Sequence, residues 1–208
     1  MAGVAGYGFS IKKSGTSTAF TSEAMSNTAG NTWQIDDATK QVFNRDTLPT
    51  FYDNAVEIVS GDISSIDYLY GKVTFTGVKT GPITVDGDYM PMAEIAAAKE
   101  GSLNRTSAIY DDTDISNAGY HTKVSGVHDA SITMSRWDDL TYTFTDVIEA
   151  RTPVVIEFAP SSAKSYRGWF VSDSSGQTLD INALIDESLS FQLDGDDETG
   201  KTFSRSDA

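Results

Sequence analysis

Short apolar runs bounded by Gly, Ser, Asn and Asp clusters punctuate this chain from end to end. That punctuation is the mark of strands joined by turns. GYGFSIKKSG reads as an N-terminal arm running into a short strand that ends near Gly15, and residues 19–22, 32–35, 41–44 and 55–60 read as further strands. Between 66 and 76 the apolar row changes phase. Ile66, Tyr68 and Tyr70 share one face, while Val73 and Phe75 continue on the other. Gly71 sits at the switch, which predicts a β-bulge. Residues 83–85 form a strand and Asp86–Gly87 a hairpin turn. Residues 91–101, with the segment AEIAAAKEG, fit one or two helical turns or the lead-in to a strand.

In the second half, 102–111 reads as a strand and DDTDISNAG as an acidic turn. Residues 127–136 alternate cleanly. His128, Ala130, Ile132 and Met134 lie on one face, and Asp129, Ser131, Thr133 and Ser135 on the other. Only one face of such a strand can pack a core. The apolar set takes it, so the hydroxyl set must meet water or a neighbouring subunit. Residues 138–150 predict the chain's best helix, because Leu140, Phe144, Val147 and Ile148 fall at i, i+4, i+7 and i+8. Asp138 and Asp139 suit its N-terminal end, Arg151 its C-terminal end, and Pro153 closes it. That stripe should cover one face of a sheet. Strands at 154–158, 166–172 and 185–193 complete the fold; in the last, Leu189, Phe191 and Leu193 alternate with Ser188, Ser190 and Gln192. The polar tail after Asp194 is expected to be mobile unless a partner orders it.

Composition supports a mainly β chain. Ser and Thr make up roughly a fifth of the residues, above ordinary usage, and β-branched and aromatic residues are plentiful. With 39% hydrophobic and 11% aromatic residues there is enough to fill a core. Charge narrows the function. Fifteen Lys and Arg stand against 30 Asp and Glu, a formal net charge of −15. A chain this acidic repels phosphate, which argues against ordinary nucleic-acid binding. No apolar run approaches the roughly 18 residues of a membrane span. The start, MAGVAGYGFSIKK, has neither a basic n-region nor a long apolar h-region, so we expect synthesis in the cytoplasm without a membrane anchor.

Candidate chemistry is thin. Cysteine is absent, which removes disulfides, thiol catalysis and Cys-ligated zinc. Asp112, Asp114 and Ser116 have the spacing of a calcium loop, but Asn117 stands where glycine is wanted and Lys123 where the bidentate glutamate must be. A solvated turn explains them better. Asp194, Asp196, Asp197 and Glu198 read as a solubilising or inter-subunit charge run. His128, beside Ala130 and Ile132, reads as a hydrogen-bonded core histidine. Asn104-Arg105-Thr106 matches a glycosylation sequon by chance. The tryptophans Trp33, Trp137 and Trp169 are scattered, which favours packing over a sugar platform. No nucleophile elbow, P-loop or dinucleotide fingerprint occurs. No catalytic, cofactor or metal residues are assigned, and no enzyme activity is expected.

One resemblance extends over most of the chain. TPVVIEFAPSSAKSYRGWFVSDSSGQTLDINALIDESLSFQLDGDD resembles the C-terminal half of major tail tube proteins of long-tailed bacteriophages and prophages. VSGVHDASITMSRW followed by the helix is similar to the same family, as are TAFTSEAM, IDYLYGKVTF and ITVDGDYMP. The order of these segments carries the resemblance more than any one of them. It implies a β-sandwich or half-barrel subunit packed by one α-helix, joining neighbours into a ring-shaped β-barrel. Rings of six would stack into a tube through which genomic DNA passes without specific binding. Partners would be ring neighbours, stacked rings and other tail proteins at the tube ends, and the site of action the virion tail. On this reading residues 1–95 are a β-rich N-terminal part with an arm, 96–194 the tube core with helix 138–150, and 195–208 a polar tail. Asp129, Ser131, Thr133 and Ser135 would face the lumen, and Leu140, Phe144, Val147 and Ile148 would pack helix on sheet. The alternatives are a single-ring tail terminator or other tail component, or a virion β-sandwich for decoration or host-glycan binding.

Overall fold

A computed structural model describes residues 9–95, 98–111, 123–137, 152–161, 164–178, 186–195 and 203–207. The described chain is mainly β. Its strands are β1 (Ser10–Ser14), β2 (Thr18–Ala29), β3 (Thr32–Ile35), β4 (Thr50–Asp53), β5 (Val56–Glu57), β6 (Ile63–Asp67), β7 (Lys72–Phe75) and β8 (Ile83–Tyr89). They continue as β9 (Met92–Glu94), β10 (Ala98–Asp111), β11 (Lys123–Trp137), β12 (Val154–Ser161), β13 (Lys164–Thr178), β14 (Asp186–Leu193) and β15 (Phe203–Asp207). Single turns of 3-10 helix at Ala38–Lys40 and Ser60–Asp62 are the helices among the described residues. The expected helix at 138–150 lies outside them, as do the acidic residues of the calcium-like turn.

The chain divides into two compact units. One comprises Met1–Ile95, Val154–Trp169 and Asp194–Ala208; the other comprises Ala96–Pro153 and Phe170–Leu193. The boundary between β12 and β14 runs through β13 itself, after Trp169.

In the first unit, an antiparallel sheet has the order β5-β4-β8-β2-β3-β7-β6. Alternation turns Met25, Ile35, Phe51, Val73, Phe75, Ile83 and Val85 into one apolar core with Phe20, Phe43 and Tyr68. Phe51 and Phe75 meet edge to face at 6.0 Å, a geometry the ring quadrupoles favour. The unit's other strands run β13-β12-β1-β9, with β15 also on β13. Here Glu157 is buried between Lys12, whose Nζ is 3.0 Å from Oε1, and Arg167, which donates to Oε2 and to the Leu69 carbonyl. Burial pushes the Glu157 carboxyl up, but the charges and hydrogen bonds of Arg167 and Lys12 outweigh it and hold the carboxyl below its ordinary value.

Several expectations change in this unit; residues 41–44, expected as a strand, hold only an isolated bridge from Phe43 to Tyr89. The run 66–76 is a hairpin, not one bulged strand: β6 and β7 pair antiparallel, and the chain reverses through Tyr68–Leu69–Tyr70–Gly71. Gly71 has φ +58°, and a Cβ there would lie 2.8 Å from Ile35 Cγ2 and 2.9 Å from the Gln41 carbonyl oxygen. The phase change therefore marks a reversal that only glycine fits. Asp86–Gly87 lies inside β8 and is no turn; Gly87 pairs with Phe20, and the irregularity sits opposite, in β2, where Ser22 has φ 54° and donates its N–H to Asp86 Oδ1 at 2.6 Å. Within the polar tail, residues 203–207 are paired to β13 of the same chain.

The second unit is an antiparallel sheet of order β10-β11-β14-β13. Ala130, Ile132, Met134, Leu189 and Phe191 are buried on one face. Of the alanine-rich segment left open by the sequence, Ala93 and Glu94 belong to β9 and residues from Ala98 onward to β10.

Candidate functional surface

The other face of the second unit's sheet is where the sequence places its hydroxyls, and the register stacks them. Ser102 of β10 pairs with Thr133 of β11, Thr133 with Ser190 of β14, and Ser190 with Ser174 of β13. One step along, Glu100, Ser135, Ser188 and Gly176 form a parallel row. One step the other way, Asn104, Ser131 and Gln192 form a third. Strand spacing sets neighbours within a row about 4.8 Å apart, and the two-residue repeat sets rows about 6.8 Å apart.

Close contacts confirm the alignment. Ser102 Oγ and Thr133 Oγ1 are 2.7 Å apart, and Ser135 Oγ donates to Glu100 Oε1 at 3.2 Å. Together the first two rows line an open groove of about 640 Å³ within this unit. Among the described residues that line it, Glu100 alone carries a charged side chain. The Glu100 carboxylate accepts from Ser135, and the remaining hydroxyls present a surface suited to hydration and weak polar contact.

The predicted set divides as follows. Asp129 and Thr133 are exposed, Ser131 and Ser135 half-buried. Asp129 lies beyond the groove, paired with Thr106, and its Oδ1 accepts the Ala130 N–H at 2.7 Å. Leu140, Phe144, Val147 and Ile148 lie outside the described residues. His128 is exposed rather than a core histidine; it pairs with Ser107, the last pair before the β10–β11 register shift. Behind the hydroxyl rows, Arg136 continues the apolar face and is fully buried, with Nε 2.6 Å from Glu187 Oε2 on the paired strand. Sequence reasoning missed Ser102, Ser174, Ser188 and Ser190 as members of this surface. The alternation around Ser188 and Ser190 was visible, but no local signal gave their register with Thr133.

No family model matches this chain, and no curated protein does. Among solved structures, a chain from the virion of a native gene transfer agent particle is similar over 55% of this chain and 88% of its own, at 16% identity and a TM-score of 0.45. A chain from the tail of an empty gene transfer agent particle, refined with helical C6 symmetry, is similar over 56% and 87%, at 15% identity and a TM-score of 0.46.

Proposed function

We propose that this chain is a structural subunit of a phage-type tail tube, with the hydroxyl rows of the second unit lining the channel. The observation that carries the reading is the in-register stacking of Ser102, Thr133, Ser190 and Ser174 on an open face. A wall that DNA crosses must not hold it. Guanidinium groups are the bidentate phosphate binders, and the described residues that line the groove include none. Serine and threonine keep such a wall wetted, while a formal charge of −15 lowers phosphate affinity over the whole subunit. An antiparallel sheet with one face on a core and one in water supplies this architecture without further elements.

Assembly follows from the same sheet. β10 is a long edge strand with no described partner on its outer side, and an edge of that length is a hazard unless a neighbour covers it. Copies joined edge to edge would close a ring of six sheets, the partners being the adjacent copies in the ring, the stacked rings and the proteins at the tube ends, within a virion tail. Electron microscopy of the purified protein tests the reading: rings or tubes with an open bore support it, and a monodisperse monomer at high concentration refutes it.

A further inference from the structure

We infer that residues 16–90 are a self-contained module inserted into the β1–β9 hairpin, latched onto its host strands by two reciprocal arginine–aromatic stacks that release before either sheet opens. The inference does not depend on rings or tubes. β1 and β9 pair antiparallel, Ser14 with Met92, and the Gly15 N–H donates to the Pro91 carbonyl at 2.8 Å. The chain therefore leaves the host sheet and returns to it at one point. Between those two residues lie all the strands of the β5-β4-β8-β2-β3-β7-β6 sheet, and among the described residues none of them pairs with a strand of the other sheet. Pro91 has no N–H with which to continue the β1–β9 ladder. On the far side of this neck, Thr18↔Tyr89 begins the β2–β8 ladder.

The module fills its own core. Every buried residue of the cluster around Phe51, Phe75 and Val85 comes from the module itself. Phe20, near its start, lies 5.8 Å from Phe43 and 6.0 Å from Tyr89, near its end, so the same core holds the two ends together. A second, smaller cluster forms the seam, where Val42, Leu69 and Tyr70 of the module bury with Val155 and Trp169 of the host strands. Two arginines cross this seam in opposite directions. Arg45 of the module lies 4.6 Å from the centre of the Trp169 ring and pairs with Asp194. Arg167 of the host lies 4.8 Å from the centre of the Tyr70 ring and donates to the Leu69 carbonyl at 3.0 Å. Trp, Tyr and Arg around a small apolar patch are the make-up of a protein–protein interface rather than of a core. Contacts of that kind within one chain open more readily than a core does. Among the described residues, undocking breaks no strand pairing, so the module can move without unmaking the sheet to which β10–β14 belong.

The absence of cysteine allows a direct test in the full chain. Val42→Cys and Val155→Cys probe the two sides of the seam, and Val85→Cys probes the module core. All three valines are buried, and cysteine packs as a small hydrophobe. Under native conditions a thiol reagent should label the two seam variants at similar rates, at least about a hundredfold faster than Val85→Cys. Both seam variants read the same opening, so either one suffices if the other does not fold. Adding Arg45→Ala should speed labelling at the seam about tenfold and leave Val85→Cys unchanged. One common rate at seam and core would overturn the module, because the first unit would then open as a whole. Equal acceleration at every site by Arg45→Ala, or none at the seam, would overturn the latch.

Discussion

Two residues show how local physics is resolved in this chain. The β4–β5 hairpin turns through Asn54 and Ala55, with φ of 51° and 62°. Asn tolerates that region and alanine does not, because its Cβ crowds the backbone. Ala55→Gly should therefore stabilise the protein by about 1 kcal/mol, a rise in melting temperature of about 2–4 °C for a chain of this size. Glu157 makes the second case. Its folded value lies below the ordinary glutamate value of 4.5, so its contribution is present above that pH and is lost as pH falls through the lowered folded value. Glu157→Gln leaves Arg167 and Lys12 without their buried counter-charge and should cost about 3–5 kcal/mol at pH 7. The gap between wild type and variant should narrow below about pH 4.5, as followed by denaturant titration at several pH values. A constant gap from pH 7 to pH 3 would contradict the assignment.

At the scale of elements, the second unit's sheet places an ion pair where an apolar pair would pack. Glu187→Gln removes a carboxylate partner of a fully buried Arg136 and should destabilise β11 and β14 by about 3–5 kcal/mol, whereas Arg136→Met with Glu187→Leu should recover most of that loss. Hydrogen exchange on the two strands measures both. The strand itself was legible: the period-two pattern from Ala130 to Ser135 foretold its buried and open faces. Its neighbours were legible only as strands, because register is fixed by contacts distant in sequence and not by any property of Ser102 or Ser174 alone. The same cause explains His128. It keeps the register of Ala130 but sits at the last pair before the shift beyond Ser107, where it is exposed. Gly71 was noticed for the right reason, a backbone position that breaks the apolar phase, but a bulge and a four-residue reversal leave the same trace in sequence. The pairing of residues 203–207 with β13 had no trace at all, since a polar strand on an edge carries no apolar period.

For the whole molecule, the acidic excess and the hydroxyl rows act at different ranges. At physiological salt, repulsion from Asp129 reaches about 8 Å, while the rows bear on whatever touches the wall. If Asp129 borders the channel, Asp129→Lys should leave assembly intact and slow genome release, most at low ionic strength; unchanged release kinetics in low salt would remove Asp129 from the channel. The central claim, that the rows of Ser102, Thr133, Ser190 and Ser174 form the channel wall, is tested most directly by a cryo-electron microscopy map of the assembled protein at side-chain resolution. The account predicts Ser131, Thr133 and Ser135 on the inner surface of a tube, with Ile132 and Met134 turned away from the bore. A tube with those hydroxyls on its outer surface or buried between rings would contradict it.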